Sequence, residues 1–316
     1  MDGVPSSDAP GDRPAAGLDR RTELSEFLRS RRDRLKPADV GLPDYGTRRR
    51  VPGLRREELA QVAGVSVSYY THLEQGNSAN VSVEVLDAIG RALRLTDTEH
   101  AYLTQLVKPT RQRAARSAPQ AQQVRPAVQQ LLDSMADVPA YVNGLRMDIL
   151  GWNGPAAALF GNWAQLRPEE RNWGRLIFLS PAARDLFIDW EAKASAVAGI
   201  LRVHAGSHPG DPRLTTLIGE LSVRSEEFRR LWAAHEVRRK SHGPIRMRHP
   251  LVGELRLAYE TFPLPDDPDQ MLVTYHAEPG SESATALRLL TSWGPDATTP
   301  ALTGQESVPS AEARGA

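Results

Sequence analysis

The sequence predicts two domains of different fold class, an all-α domain followed by an α+β domain with an antiparallel sheet. Residues 20–108 carry apolar side chains at helical spacing, divided into several short runs. Alternating apolar and polar residues, typical of half-buried strands, occur only after residue 139. With 316 residues, the chain is long enough for two hydrophobic cores of ordinary size.

Residues 54–76 predict two short helices joined by a tight turn. Leu59, Ala60 and Ala63 recur at helical spacing, and Gly64 can adopt the positive φ that ends a helix. Ser66 is placed to cap the second helix. The small Ala60 allows the two helices to cross closely, as a helix-turn-helix requires. An ordinary helical hairpin within a globular core is the alternative.

The second of these helices is predicted to have an inward and an outward face. Val67, Tyr70 and Leu73 fall three residues apart and predict the face that packs on the core. The side chains left to contact base edges in a DNA groove are Ser66, Ser68, Tyr69 and His72. Because serine and tyrosine discriminate weakly between bases, we expect specificity to depend also on Arg55 or on DNA shape.

Positive charge is concentrated just ahead of these two helices. The whole chain is neutral, with 39 basic and 39 acidic residues, but residues 31–56 hold nine basic and three acidic residues, a net charge of +6. Such a field supplies the sequence-independent attraction to phosphates that dominates DNA affinity. The arginines predicted to contact DNA are Arg48, Arg49, Arg50, Arg55 and Arg56. A solvated arginine-rich face is the alternative.

Three further helices complete a five-helix domain over residues 20–108. Apolar periodicity predicts them within residues 20–35, 82–95 and 97–106. The composition of residues 1–19, rich in Pro, Gly, Asp and Ser, predicts disorder. Residues 109–123, with little apolar periodicity, are predicted to be a linker.

The second domain is predicted over residues 124–280 and opens with a short helix at residues 128–135. Two β-prone runs then flank Asn143 and Gly144, which is the strongest short signal for a β-hairpin. Asn153 is placed to cap a short alanine-rich helix that follows the hairpin.

Helices and then strands are predicted in the rest of the second domain. The helices are predicted at residues 181–205, 212–222 and 225–238. The strands are predicted at residues 245–249, 254–262 and 271–277, with the acidic segment 263–269 as a loop. Residues 281–316 are predicted to be largely disordered, apart from one short helix at residues 284–290.

Composition and missing motifs argue against several classes of protein. The chain has no cysteine, which excludes disulfides and thiolate metal sites and fits a cytoplasmic location. No apolar run is long enough for a membrane span, and residues 1–16 lack the apolar core of a signal peptide. The starting motifs of hydrolases, nucleoside triphosphatases, dehydrogenases and zinc proteases are absent. We therefore expect no enzyme activity, no metal and no cofactor.

Asn153 and its flanks resemble a PAS-type domain, in which two strands lead into a capping asparagine and a short helix. The chain as a whole resembles the XRE-type regulators with an MmyB-like ligand-binding domain. The runs that carry this resemblance lie at residues 48–58, 64–76, 171–173, 189–190, 219–222 and 249–254. The resemblance implies a lambda-repressor-like DNA-binding domain and a PAS-like domain whose buried pocket accepts a fatty acid or a similar effector.

The second domain concentrates large apolar side chains, including five of the six tryptophans. Most of them must form the core, but a PAS-like sheet covered by helices commonly leaves an apolar cavity with a few polar anchors. The candidate ligand contacts are Tyr141, Asn153, Phe160, Arg171, Asn172, Trp173, Phe178 and Trp190. Arg171 is suited to hold a carboxylate head group, with a structural salt bridge as the alternative. His249 and Arg184 are weaker candidates.

Together, these observations predict a sequence-specific transcriptional regulator at the nucleoid, whose second domain binds a small apolar effector such as a fatty acid. The expected partners are double-stranded DNA and a second copy of the chain, because such proteins usually bind paired half-sites. The alternative is a DNA-bound regulator whose second domain only dimerises or recruits a partner. The effect of a small molecule on DNA affinity distinguishes the two.

Overall fold

The computed structural model describes residues 19–43, 53–78, 81–108, 122–237 and 241–294. Its first part is helical and its second part combines helices with a five-stranded antiparallel sheet, which confirms the predicted fold class. Arg48, Arg49 and Arg50 lie outside the described residues, as do residues 1–18 and 109–121. Within the described part of the chain, no helix is both long enough and apolar enough to cross a lipid bilayer.

The described α-helices of the N-terminal domain are α1 (Arg20–Asp33), α2 (Arg56–Ala63), α3 (Val67–Glu74), α4 (Val83–Ala92) and α5 (Asp97–Val107). A 3-10 helix, Pro37–Val40, follows α1. The hydroxyls of Ser66 and Ser82 cap α3 and α4 by accepting backbone N–H groups three residues ahead. Apolar side chains from all five helices meet in one core that includes Phe27, Tyr70 and Leu103.

The C-terminal domain begins with α6 (Pro126–Ser134), the short strands β1 (Ala140–Asn143) and β2 (Ile149–Trp152), and α7 (Gly154–Phe160). Five helices follow, namely α8 (Trp173–Leu179), α9 (Ala182–Leu186), α10 (Trp190–Ser207), α11 (Pro212–Arg224) and α12 (Glu226–Ala233). The domain closes with β3 (His242–His249), β4 (Gly253–Leu264), β5 (Asp267–His276) and α13 (Glu282–Trp293).

The five strands form one sheet in the order β2-β1-β5-β4-β3, with every neighbouring pair antiparallel. Side chains alternate between its two faces, as the strand period of two requires. Tyr141 and Tyr275 lie in the main core of the domain. Val142 and Leu272 pack instead with Leu132 of α6 on the opposite face. The sheet is therefore covered on both faces.

The predicted hairpin at Asn143 and Gly144 forms, but with a longer loop than expected. The loop extends over residues 144–148, and β2 begins only at Ile149. Leu145 and Met147 are buried, and the Met147 carbonyl accepts a hydrogen bond from the backbone N–H of Trp173. Contacts with a distant segment thus replace the tight two-residue turn that the Asn-Gly pair predicts.

Other predicted boundaries were wrong as well, and the helix predicted at residues 225–238 ends at Ala233. The helix predicted at residues 181–205 is broken, because Phe187 bridges to Met247 and the Ile188 N–H donates to the Arg246 carbonyl of β3. The acidic segment is no long loop, since β4 and β5 continue through it to a turn at residues 265–266. The last helix, predicted at residues 284–290, extends from Glu282 to Trp293, because the Ser281 hydroxyl caps it by accepting the N–H of Ala284.

Candidate functional site

Helices α2 and α3 form the predicted helix-turn-helix. Gly64 ends α2 in the left-handed region, with φ of 67°, and the Val65 N–H donates to the Ala60 carbonyl at 3.0 Å. Ala60, Tyr70 and Leu73 are buried in the N-terminal core, as the spacing predicted. The turn and the packing together fix the angle between α2 and α3.

The exposed start of α3 contains most of the side chains predicted to contact DNA. Ser66, Ser68 and His72 are exposed, and Ser66 also caps the helix. Tyr69 is only half exposed because its ring packs against the domain core. Val67 was predicted to face inward, but it is 41% exposed because the first turn of α3 projects beyond the core. The start of α3 thus presents hydroxyl, imidazole and methyl groups to solvent.

Arg56 is tied to the end of α3. Two of its guanidinium nitrogens lie 3.1 and 3.3 Å from Oε1 of Glu74, and Arg32 of α1 binds the same carboxylate through two bonds of 3.1 Å. Burial opposes ionisation of Glu74, but the two guanidinium groups outweigh it and hold the pKa of this carboxyl below its ordinary value. The network joins α1, α2 and α3. It engages Nε and one terminal nitrogen of Arg56, which leaves the other side of the guanidinium available.

The other arginines near the helix-turn-helix differ in exposure. Arg55 is exposed at the N-cap of α2. Arg31 is buried, its Nε lies 2.8 Å from a carboxylate oxygen of Glu99, and burial lowers its pKa to about 10. Arg31 and Arg32 therefore contribute little to the positive field that the sequence predicts before α2. Among the described residues, its solvent-facing part is carried by Arg34, Lys36, Arg55 and the partly exposed Arg56.

A cavity of about 660 Å³ lies between the inner face of the sheet and α10. This volume falls within the usual range for small-molecule sites. The strands contribute mainly aromatic and aliphatic side chains, among them Tyr141, Tyr259, Val273 and Tyr275. Helix α10 contributes Lys193, Ala196, Val197, Ile200 and His204. Thr98 of α5 also lines the cavity, so the N-terminal domain forms part of its wall.

The wall also contains charged and titratable side chains, namely Asp189, His204, His208, Arg246 and Asp269. Two further polar side chains are notable. The Lys193 ammonium lies 4.8 Å from the ring centroid of Trp173 and 5.3 Å from that of Phe187. Burial lowers the pKa of Lys193 to about 8. Asn143 of β1 is buried, and its Oδ1 has no hydrogen-bond partner among the described residues. The cavity is thus lined mainly by apolar groups, with several polar and charged side chains among them.

Of the eight side chains predicted to contact a ligand, Tyr141 lines this cavity. Phe160 and Trp173 form an aromatic cluster with Tyr141, with ring centroids 5.3 to 5.9 Å apart, but they do not line the cavity. Phe178 and Trp190 pack on each other at 6.2 Å in the core, outside the lining. The aromatic cluster therefore supports the cavity wall from behind.

The side chains of Asn153 and Asn172 form hydrogen bonds mainly with backbone groups. Oδ1 of Asn153 accepts the N–H groups of Ala140 and Ala156, each at 3.0 Å, and its Nδ2 donates to three carbonyls. Asn172 caps α8 in the same way and donates to the Arg146 carbonyl at 2.8 Å. Both side chains are buried outside the cavity, and Asn153 caps α7 as predicted.

Arg171, predicted to hold a carboxylate head group, also lies outside the cavity lining. Its guanidinium donates to the carbonyls of Leu166 and Ala164 and lies over the ring of Trp152 at 5.4 Å. The weaker candidates lie elsewhere too: His249 is buried away from the lining, and the Arg184 guanidinium stacks on Trp190 at 3.8 Å.

Lys193 was missed by the sequence analysis. It is the only lysine of α10 and is surrounded in sequence by alanine and serine. A lone lysine in such a helix is the available signal, but its position does not show that the helix borders a cavity. Only the position of α10 across the cavity from β1, β4 and β5 makes this side chain distinctive.

Helix α10 also contacts the N-terminal domain. Val203 packs in the N-terminal core, and Ser207 accepts a hydrogen bond from Gln105 of α5. Arg202 forms a buried ion pair with Glu23 of α1. The helix that forms one wall of the cavity is therefore anchored in the domain that carries α3.

Comparison with known families gives two matches. The model of the MmyB-like transcription regulator ligand binding domain matches residues 124–290, which are 167 of the 316 residues. The model of a helix-turn-helix domain matches residues 23–103. No curated protein sequence matches the chain.

Proposed function

Because this chain belongs to the family of MmyB-like transcription regulators, we propose that an apolar effector in the cavity controls its binding to specific DNA sequences. The chain is a regulator with a DNA-binding helix-turn-helix domain and a ligand-binding domain. The observation that carries the proposal is the position of α10, which lines the cavity with one side and contacts the N-terminal domain with another.

The cavity favours a fatty acid as effector. Its walls are mainly aromatic and aliphatic, and the row from Lys193 to His204 on α10 extends for about 16 Å at the helical rise of 1.5 Å per residue. A mainly apolar cavity that extends along α10 suits an acyl chain better than a small polar molecule.

The start of α3 would enter the major groove, with Ser66, Ser68, Tyr69 and His72 near base edges. Arg55 and the free side of Arg56 would contact phosphates, together with Arg48, Arg49 and Arg50. We further propose that two copies bind paired half-sites and that the protein acts in the cytoplasm, where the DNA is.

Effector binding would be coupled to DNA binding through α10, because this helix contacts both the cavity and the N-terminal domain. A ligand changes DNA affinity only if it binds differently to the DNA-competent and incompetent states. An acyl chain beside Val197 and Ile200 would press on α10, and α10 is joined to α1 by Arg202. Occupation of the cavity is therefore expected to change the position of the helix-turn-helix.

The test is DNA affinity measured with and without a fatty acid. A preferred duplex is first selected from random DNA with delipidated protein, and saturated fatty acids of increasing chain length are then added below their critical micelle concentrations. We expect one length range to change the affinity by about 5- to 150-fold, as typical coupling energies allow. The variant Ala196→Trp, which fills the cavity, should bind the same DNA but lose this response.

If no fatty acid binds and DNA affinity does not change, the effector proposal is overturned. Sedimentation of the protein with the duplex tests the dimer separately. A DNA-bound dimer that is insensitive to every fatty acid would favour the alternative, a second domain that serves only assembly.

A further inference from the structure

We propose that Lys193 binds the head group of the effector, and that the effector is therefore a monoanionic amphiphile with a carboxylate at one end. This inference rests on the proposed function, because it specifies the chemistry of the molecule that occupies the cavity. It assigns the head group to α10, one face of which is also anchored in the N-terminal domain.

Lys193 has no anionic partner in the part of the chain that the structure describes. Two carboxylates, those of Asp189 and Asp269, line the same cavity. Both oxygens of Asp189 bind Arg246, at 2.7 and 2.9 Å, and Asp269 lies 3.8 Å from Nε2 of His208. The ammonium faces the rings of Trp173 and Phe187 instead. A cation partly removed from water without a countercharge is costly, so an anion that enters the cavity would complete the site.

Asn143 supplies a second observation on the opposite wall. This residue of β1 is 8% exposed and lines the same cavity, and its Oδ1 has no partner among the described residues. Buried polar atoms are almost always hydrogen-bonded, so an acceptor left open here indicates that something polar enters the cavity. A water molecule that accompanies the head group, or a hydroxyl of the effector, would satisfy it.

The charge of the site favours a carboxylate over a phosphate. Lys193 offers one positive charge, whereas Arg246 pairs with Asp189, and His208 lies 3.8 Å from a carboxylate oxygen of Asp269. A carboxylate carries one negative charge and is balanced by one ammonium. A phosphate monoester carries close to two at neutral pH and would leave one charge buried without a partner.

The protonation of Lys193 agrees with this role. Because its pKa is lowered only to about 8, the ammonium remains mostly charged at pH 7. A bound carboxylate would stabilise the charged form and raise the pKa again. The affinity for an acid should therefore fall as pH rises through about 8 and above, while the affinity for an uncharged ligand should not.

The test compares a fatty acid with the primary alcohol and the methyl ester of the same chain length. Binding to the delipidated full chain is measured by displacement of a fluorescent acyl probe. We expect the wild type to bind the acid about 10- to 100-fold more tightly than the alcohol, the range of one charge-assisted hydrogen bond. Lys193→Met should reduce acid binding to the level of the alcohol and leave alcohol binding unchanged.

Two further variants serve as controls. Lys193→Arg keeps the charge and should retain a preference for the acid, whereas Lys108→Met removes an exposed lysine outside the cavity and should change nothing. Thermal unfolding checks that Lys193→Met is folded, and removal of a partly buried, unpaired charge should not lower its stability.

The outcomes separate this inference from the proposed function. If the wild type binds acid and alcohol equally, or if Lys193→Met keeps the preference for the acid, the anchor is overturned and the apolar effector stands. If none of the three ligands binds, both proposals fail.

Discussion

Arg202 of α10 and Glu23 of α1 form an ion pair although their side chains are only 1% and 3% exposed. Oε1 of Glu23 also accepts the Tyr102 hydroxyl at 2.8 Å, and Arg202 donates to the carbonyl of Trp232. The pair therefore lies in a hydrogen-bonded network that joins the N-terminal domain to α10 and α12. Such a network holds the two domains in one arrangement, because a partly satisfied buried ion pair is far less stable than a complete one.

We expect Glu23→Gln and Arg202→Met each to lower the free energy of unfolding by about 3–5 kcal/mol, since each leaves one member of the pair buried without its partner. The double variant should lose much less than the sum of the two. Denaturant unfolding of the four proteins gives the coupling energy directly. Strictly additive effects would show that the two side chains do not depend on each other.

The same pair predicts sensitivity to acid. Burial raises the pKa of Glu23, but hydrogen bonds from His235 and Arg202 and the charge of Arg202 outweigh it and lower the pKa from 4.5 to about 2. A lowered folded-state pKa contributes stability above pH 4.5 that is lost as the pH falls toward 2, about 3 kcal/mol in all. Unfolding curves between pH 7 and pH 3 should be steeper in pH for the wild type than for Glu23→Gln. Parallel curves would contradict this assignment.

Gly206 is expected to tolerate no side chain. A Cβ at this position would lie 2.6 Å from Cε2 of Tyr102, a ring held by Glu23 and by edge contact with Phe27. Gly206→Ala should lower the free energy of unfolding by about 1–3 kcal/mol. Gly219 of α11 is the matched control, because nothing lies within 4 Å of a Cβ there, and Gly219→Ala should stabilise by up to about 1 kcal/mol. A cost at Gly219 but not at Gly206 would refute the reasoning.

Asn153 caps the buried helix α7, whereas Asn162 caps a short 3-10 helix, Trp163–Gln165. Asn153→Ala would leave two N–H groups and three carbonyls without their partner, so we expect a loss of about 3 kcal/mol or more. Asn162 accepts one N–H, from Ala164, at an exposed site, and Asn162→Ala should cost about 1 kcal/mol or less. Thermal unfolding of both variants compares them, and equal losses would argue against the Asn153 network.

Substitutions in the helix-turn-helix should separate affinity from specificity. Arg55→Ala removes an exposed charge and should weaken binding to all DNA sequences similarly and reduce its salt dependence. Arg56→Ala should do the same and also destabilise the domain, because the buried Glu74 carboxylate loses one of its two guanidinium partners. Ser68→Ala or Tyr69→Ala should change which sequence is preferred. Arg213→Ala removes an exposed arginine of α11 as a control and should leave binding unchanged. Unchanged binding in all the N-terminal variants would refute the DNA surface.

Local signals in the sequence were sufficient where a structure depends on neighbours in the chain. Gly64, Ser66 and Asn153 were predicted as helix ends from spacing alone, and all three are confirmed. Caps involve residues three or four positions apart, so the chain itself holds the information.

Sequence signals failed where contacts with a distant segment of the chain determine the local structure. The Asn-Gly pair predicts a tight hairpin, but the buried Leu145 and Met147 and the bond from Trp173 hold a longer loop. Arg31 and Arg32 look like surface charge in sequence, yet Glu99 and Glu74 bind them from other helices. The cavity is defined by the gap between the sheet and α10, and no local pattern distinguishes a residue that lines a gap from one that fills a core.

Helix α10 has 18 residues, and only Glu191 and Ala192 among them are exposed. Every other position is matched to a partner on one side of the helix: the cavity, the core of its own domain, or the N-terminal domain. Inserting one residue in the middle would rotate everything beyond it by about 100°. Arg202 would then leave Glu23, and His204 would leave the cavity. Insertions and deletions within this helix should therefore be strongly selected against, even where single substitutions are tolerated.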